Sequence, residues 1–263
     1  SHADDPRGSV PVPAHPLFGG DRFMNLARLR DMLPDVPEVV RHGVEALYDG
    51  EVRHTDRCVG ELLDVLATAG VMEHSWIVVL ADHGEEFFEH GDYEHGHSLM
   101  PEVTGVPMLI RPPRGLAAGV RDDRAVTLLD LLPSLGAALG WSLPDPLPGR
   151  PALVPDASGA FPDPAPLTVL ENMLYGPPEQ ATLSWPDLRV MEPESGLDAW
   201  FDLARDPTAR SARPAPADAD RIAAARRDLI ARWNDRRAEL VNAGDAGNEL
   251  SEAAQRRLRS LGY

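Results

Sequence analysis

An uninterrupted apolar run that ends abruptly in histidines and carboxylates is the feature that most restricts how this chain can fold. The run extends from Trp76 to Ala81 without a polar residue, a pattern typical of a parallel strand that is covered on both faces. Asp82, His83 and Gly84 follow at once. Open α/β sheets bind ligands beyond the carboxyl ends of their strands, so the sequence predicts a site here.

We call residues 82–98 the histidine loop, because they contain four of the chain's nine histidines, at positions 83, 90, 95 and 97. Asp82 and His83 offer a hard oxygen and a borderline nitrogen to one divalent cation, and Gly84 allows a sharp backbone turn behind them. The adjacent Glu85 and Glu86 are candidates for acid/base chemistry, but two neighbouring glutamates more often open a short helical turn, where both carboxylates interact favourably with the helix dipole.

The elements around the loop predict an α/β layer structure. Apolar residues at helical spacing predict a long helix from Pro37 to Ala69, and the short apolar run Val106–Ile110 predicts a second strand. Thr127 begins a further predicted helix that Pro133 interrupts. Helix, strand, loop, strand and helix in this order are typical of α/β proteins.

The pattern changes after residue 140. Residues 141–166 are dense in Pro, Gly and Asp, which predicts a linker or surface excursion. Four short strand-like runs then predict a small antiparallel sheet: LTVLEN, ATLSW, DLRVME and AWFDL. Helices are expected from Asp218 to Val241 and from Ser251 to Leu261. The expected organisation is an α/β part at residues 1–140, the linker, and an antiparallel sheet with C-terminal helices at 167–263.

Charge and hydropathy exclude some classes of function. The formal net charge is −17, which repels nucleic acid and argues against a nucleic-acid-binding module. No apolar run approaches the length of a membrane span. The single Cys58 excludes an internal disulfide framework and a metal site built from several cysteines.

Several motifs together resemble the sulfatase family of the alkaline-phosphatase superfamily. The apolar strand leads into ADHGEEFFEHG, and the segments EHGHS and VPMLIRPP follow it. The helix LYDGEVRHTDRCVGELLDVL, the helix VTLLDLLPSLGAALG, the turn AWFDLARDP and the ending LSEAAQRRLRSLGY are also similar to sulfatase segments. The resemblance implies part of an alkaline-phosphatase-like sheet sandwiched by helices, followed by a small α+β subdomain.

The resemblance also implies roles for residues of the histidine loop. Asp82 and His83 match the family's pair of metal ligands, which usually bind Ca²⁺ in sulfatases, with Mg²⁺, Mn²⁺ and Zn²⁺ as alternatives. His97 matches the position of a Lys or His that contacts the sulfate or phosphate group, and this makes it the expected catalytic and substrate-binding residue. His95 is a second candidate for substrate binding, and His90 for a supporting role.

Some parts of the family pattern have no match in this sequence. The nucleophile motif C/S-x-P-x-R does not fit Cys58, which Val59, Gly60 and Glu61 follow. Arg7 stands where a related segment carries a histidine, and Met100-Pro101 replaces the usual Tyr-Glu. The chain therefore resembles the C-terminal half of a sulfatase.

Three functions remain open at this point. The first is metal-dependent hydrolysis of small-molecule or glycan sulfate esters by a longer protein that supplies the nucleophile. The second is hydrolysis of phosphomonoesters or phosphodiesters on the same scaffold. The third is a non-catalytic remnant that binds a cation or a partner through its acidic surface.

Overall fold

The computed structural model describes residues 29–113, 119, 121–143, 147, 149–155, 161–162, 168–172, 179–192 and 197–244. The chain divides into two compact units, one of residues 1–128 with 170–214 and the other of residues 129–169 with 215–263. Arg7 and the predicted helix Ser251–Leu261 lie outside the described residues.

Helices and strands are mixed along the chain, in agreement with the predicted α/β class. The helices are α1 (Glu38–Thr68), α2 (Pro101–Thr104), α3 (Leu131–Leu139) and α4 (Ala219–Gly244). The strands are β1 (Ile77–Leu80), β2 (Glu86–Phe87), β3 (Tyr93–Glu94), β4 (Met108–Arg111), β5 (Thr168–Asn172), β6 (Glu179–Ser184), β7 (Asp187–Glu192) and β8 (Leu197–Asp202). None of the described helices is both long and apolar enough to cross a membrane.

Helix α1 confirms the prediction made from its apolar spacing, within one residue at each end. It ends where Gly70 takes a left-handed conformation with φ +71°, which glycine adopts without strain. Its buried residues are Val40, Gly43 and Val44, all in its first two turns. The C-terminal half of the helix contains no buried residue, and Leu62 and Val65 are exposed there.

Strand β1 follows the prediction in position but not in pairing. It pairs antiparallel with β4, with Val79 opposite Leu109, so the expected parallel pairing is wrong for this neighbour. None of the eight residues in the pair is buried, and Leu109 is 62% exposed. An apolar run indicates a strand, but whether two neighbouring strands run parallel or antiparallel depends on the connection between them. Here the histidine loop and α2 bring the chain back alongside β1.

The predicted strands after residue 166 form a four-stranded sheet in the order β5-β6-β7-β8. Strand β7 pairs antiparallel with both β6 and β8, as the turn residues between the apolar runs predicted. The sheet contributes most of one core cluster, which consists of Leu99, Ala181, Leu188, Val190, Phe201 and Ala209.

The histidine loop is anchored at two places in the first unit. Phe88 and Tyr93 belong to a core cluster with Val40 and Val44 of α1. Leu99, just after the loop, packs in the cluster of the β5–β8 sheet. Burial of these apolar side chains fixes the loop between a helix and a sheet, and this leaves its polar side chains to pair with one another.

The second unit is held together by buried polar groups as well as apolar ones. The side chain of Asp130, which is fully buried, accepts a hydrogen bond from the Arg150 backbone N–H at 2.8 Å. The buried Ser134 hydroxyl accepts from the Leu153 N–H at 3.0 Å. Part of the predicted linker at 141–166 is therefore packed against α3.

We expect the 263-residue chain to associate in solution, because a sheet with exposed apolar residues favours self-association. Val79 and Leu109 on the β1–β4 sheet and Leu62 and Val65 on α1 are 38%, 62%, 57% and 64% exposed. Replacement of Leu109 by Glu should shift the chain towards monomer, as measured by size-exclusion chromatography with light scattering.

The control is Trp185→Glu, which places the same charge at another exposed, large apolar side chain, 53% exposed, at the β6–β7 turn. It should leave the association unchanged if the β1–β4 sheet is the associating surface. A wild-type chain that is monodisperse and monomeric at tens of micromolar would contradict the prediction.

Candidate functional site

Gly84 fixes where the histidine loop leaves β1. Its N–H donates to the Val103 carbonyl at 2.6 Å, and the Glu85 N–H donates to the Glu102 carbonyl at 2.9 Å. A Cβ at position 84 would lie 2.0 Å from the Glu102 carbonyl oxygen, so a side chain cannot be accommodated there. This close approach to α2 holds Asp82 and His83 at the end of the strand.

Asp82 and His83 form a pair of potential metal ligands. Their side chains are 73% and 40% exposed. The Gly84 carbonyl lies 2.8 Å from His83 Nδ1 and can only accept, so Nδ1 carries the proton and Nε2 carries the lone pair. His83 Nε2 is 3.7 Å from Asp82 Oδ1. Two donor atoms at this spacing can bind one cation from the same side.

The pair fits a divalent cation only as part of a larger site. Calcium takes roughly 6–8 oxygen ligands, and Asp82 with His83 supplies two donor atoms. Among the described residues, no group of three or more His, Cys, Asp or Glu side chains is placed to hold a metal ion. Other ligands would therefore have to come from water, substrate or further protein.

His95 lies directly against this pair. Its ring stacks on the His83 ring with centroids 3.8 Å apart and an interplanar angle of 27°. Its Nδ1 is 3.2 Å from Glu85 Oε1, so Nδ1–H donates to the carboxylate and Nε2 is left for another partner. With its side chain 41% exposed, His95 can meet a ligand at the end of β1.

His97 is placed differently from His95, although both were predicted to contact substrate. Its side chain is 14% exposed, and Nε2 donates to Glu86 Oε2 at 2.9 Å. That hydrogen bond raises the pKa of His97 above its ordinary value, and it outweighs the lowering caused by burial. This hydrogen bond thus favours the cationic form of the ring beside a buried carboxylate.

Glu86 is the residue whose importance the sequence did not reveal. It begins strand β2 and is 1% exposed, so the expected helical turn is wrong. Its Oε1 accepts from the backbone N–H groups of His90 at 3.0 Å and Asp92 at 2.9 Å, while Oε2 accepts from His97. Burial raises the pKa of Glu86, but these hydrogen bonds outweigh it and lower the pKa overall. One carboxylate therefore organises the whole loop.

His90 is also held by two acceptor groups. Its Nδ1 lies 2.5 Å from Glu102 Oε1, and its Nε2 lies 3.1 Å from the Ala209 carbonyl oxygen. Neither Glu102 nor Ala209 was singled out by the sequence, because each is far from His90 along the chain.

Comparison with known proteins identifies the part of the chain that carries the site. Residues 19–141 match the family model described as Sulfatase. This part of the chain is similar to the sulfatase family. We call residues 19–141 the sulfatase segment. It contains β1, the histidine loop and β4, so the resemblance based on the ADHGEE, EHGHS and VPMLIRPP motifs is confirmed.

Curated sulfatases are similar to the same part of the chain. Arylsulfatase K of Bos taurus is 30% identical over 118 residues, which is 45% of this chain and 21% of that protein. An endo-4-O-sulfatase of Bacteroides thetaiotaomicron is 30% identical over 105 residues, or 39% of this chain and 20% of that protein. The chain thus aligns with about a fifth of each of these relatives.

Solved structures share the fold over a larger part of the chain. A 2-O GAG sulfatase matches with a TM-score of 0.63 and 20% identity, covering 82% of this chain and 48% of that one. A phosphonate monoester hydrolase from Silicibacter pomeroyi matches with a TM-score of 0.58 and 20% identity, covering 77% of this chain and 43% of that one. The chain spans about half the length of these neighbours.

Proposed function

We propose that this chain is the C-terminal part of a metal-dependent hydrolase of sulfate esters. The observation that carries the proposal is the meeting of Asp82, His83 and His95 at the carboxyl end of β1, inside the sulfatase segment. Ligands bind at such strand ends in α/β proteins, and these three side chains combine cation ligands with a donor for an anion. Small-molecule or glycan sulfate esters are the proposed substrates.

Asp82 and His83 would hold the divalent metal, with Ca²⁺ as the proposed ion because the carboxylate is a hard ligand. Sulfatases generally use such a metal, which would stabilise negative charge on the ester oxygens. The His83 tautomer supports this assignment, since the Gly84 carbonyl keeps the proton on Nδ1 and the Nε2 lone pair free for the cation.

The two downstream histidines would have different tasks. His95 touches His83 and is exposed, and because Nδ1–H donates to Glu85, its Nε2 would donate a hydrogen bond to an ester oxygen beside the metal when the ring is an imidazolium. His97 is bound to the buried Glu86, which holds its ring in one orientation and favours its cationic form. His97 remains our predicted catalytic residue, and it would stabilise the anion through its charge.

The nucleophile would come from protein outside the given sequence. A Cys or Ser followed by Pro two residues later and Arg four residues later is absent from all 263 residues. We therefore infer a longer protein, in which a preceding α/β segment supplies the nucleophile and the remaining metal ligands. The similarity to about half of each structural neighbour supports this.

Hydrolysis of phosphate or phosphonate esters is the second candidate function. The specific observation that favours it is the structural similarity to a phosphonate monoester hydrolase, at a TM-score only 0.05 below that of the sulfatase quoted above. Both anions are tetrahedral and would meet the same cation and histidine, so the contacts of Asp82 and His95 do not separate them.

Turnover assays of the given chain and of the chain extended by its preceding coding region test these functions. We expect the given chain to hydrolyse neither aryl sulfate nor aryl phosphate, and the extended protein to hydrolyse aryl sulfate faster than aryl phosphate in the presence of Ca²⁺. The opposite preference would support the phosphatase function. Inactivity of a folded extended protein on both esters would support the non-catalytic remnant, and turnover by the given chain would refute the missing-segment proposal.

A further inference from the structure

His90 is held between two groups that can only accept hydrogen bonds. Its Nδ1 is 2.5 Å from a carboxylate oxygen of Glu102, and its Nε2 is 3.1 Å from the carbonyl oxygen of Ala209. A neutral imidazole has one N–H and can satisfy one of these acceptors, whereas an imidazolium donates to both. The observed geometry therefore requires the protonated ring when Glu102 is ionised.

The surroundings of His90 favour that protonated form. The side chains of His90 and Glu102 are 21% and 10% exposed, so solvent screens their interaction only weakly. The charged groups that face His90 are Glu102 from α2 and Glu86 from β2. Burial lowers the pKa of His90, but the hydrogen bonds to Glu102 and Ala209 and the two carboxylate charges together raise it above its ordinary value of 6.5.

The Ala209 carbonyl is presented by a well-defined turn after β8. Asp206 accepts hydrogen bonds from the Ser211 N–H at 2.8 Å and from the Thr208 hydroxyl at 3.2 Å, and these contacts close the turn. Ala209 itself is 1% exposed and packs in the core of the β5–β8 sheet with Phe201. His90 therefore connects the histidine loop to a fixed point on that sheet.

Backbone strain is concentrated at the two segments that His90 joins. Among the described residues, the non-glycine positions with positive φ are Phe88 at 69°, Glu94 at 73° and Ala209 at 50°. Two lie in the histidine loop and the third supplies the carbonyl bound by His90. Residues keep such conformations only where surrounding contacts enforce them. The polar contacts of these segments include those of Glu86 and His90, the Phe88 N–H bond to the Asp92 carbonyl at 2.9 Å and the Arg30–Glu94 ion pair at 2.8 Å.

We propose that His90 is a positioning residue that attaches the histidine loop to the turn of residues 202–211 when its ring is protonated, and that this attachment weakens when the ring is neutral, while Phe88, Tyr93 and Leu99 keep the loop packed. The loop carries His95 and His97, so His90 controls their placement without touching substrate. This consequence for catalysis rests on the proposed function, whereas the attachment of the loop does not.

The direction of the pH effect follows from the hydrogen bonds. Because the folded state favours protonated His90, the attachment is complete below pH 6.5 and is lost as the pH rises through the higher pKa of the folded state. Deprotonation leaves either the Glu102 carboxylate or the Ala209 carbonyl without its donor. The attachment through His90 is then expected to weaken at alkaline pH.

Hydrogen exchange in the 263-residue chain tests this inference without any assay of turnover. After correction for intrinsic exchange rates, we expect protection of amides in residues 86–97 to fall by about tenfold between pH 6 and pH 9, since a hydrogen bond to a charged group is lost. Imidazole NMR should show protons on both nitrogens of His90 at pH 6. The result expected for Glu102→Gln is protection that does not change over this range, because the amide can donate to neutral His90.

The control is His42→Gln, which replaces a histidine on α1 whose side chain is 64% exposed, and it should keep the pH dependence of the wild type. The inference is overturned if Glu102→Gln keeps that dependence as well, or if wild-type protection is constant from pH 6 to pH 9. A His90 ring that is neutral at pH 6 also overturns it. Failure of the turnover assay would leave these results unaffected, so the two proposals fail separately.

Discussion

Replacement of Glu86 by alanine is expected to destabilise the first unit by about 3–5 kcal/mol, the cost of breaking a buried ion pair by removing one partner. Without the carboxylate, the His97 ring and the backbone N–H groups of His90 and Asp92 lose the acceptor that they share. Thermal and chemical unfolding followed by circular dichroism would measure the loss, and hydrogen exchange would locate it in the histidine loop.

A second variant separates the charge of Glu86 from its hydrogen bonds, and a third serves as the control. Glu86→Gln keeps an oxygen that can accept from the backbone N–H groups but removes the charge beside His97, so its effect should be smaller than that of alanine. Glu45→Ala removes an exposed carboxylate from α1 and should change the stability by less than about 0.5 kcal/mol. Equal effects of Glu86→Ala and Glu45→Ala would contradict the role given to Glu86.

The Glu86–His97 pair also predicts the shape of the stability profile against pH. The pKa of Glu86 is lowered below 4.5, so its contribution is present above pH 4.5 and is lost as the pH falls through the lowered value. The pKa of His97 is raised above 6.5, so its contribution is present below pH 6.5 and is lost as the pH rises. The pair should therefore stabilise the wild type most between these pH values. In Glu86→Gln, the decrease in stability at acidic pH that comes from protonation of Glu86 should disappear.

In the extended protein, His95→Ala is expected to lower kcat for aryl sulfate by about 10²–10³-fold, the usual effect of removing a donor to a developing anion. The reason is the position of His95, which stacks on His83 and is 41% exposed. Asp82→Ala should abolish the dependence of turnover on added Ca²⁺, because it removes the only carboxylate of the proposed ligand pair. Steady-state kinetics with and without the metal would measure both effects.

His97→Ala distinguishes direct contact from charge acting at a distance. If His97 touches the ester, its loss should also cost about 10²–10³-fold in kcat. If it acts through its charge and its bond to Glu86, Glu86→Gln should give a similar decrease. His42→Ala, on the exposed face of α1, is the control and should retain activity. Full activity of Asp82→Ala or His95→Ala would remove that residue from the site.

The sequence determined the local elements, because their signals lie within a few residues of one another. The spacing of apolar residues predicted α1 within one residue at each end, and turn residues between short apolar runs predicted the strands β5–β8. The change from an apolar strand to Asp82 and His83 located the candidate site for the same reason.

The tertiary structure alone decided how strands pair and which carboxylate meets which histidine. Glu85 and Glu86 are identical in type and adjacent, yet the start of β2 buries only Glu86 and directs it to His97. His90 reaches Ala209 across 119 positions, and no local pattern encodes that contact. Such partners are selected by burial of distant segments against each other, because a buried polar group must find its hydrogen bond wherever the fold places one.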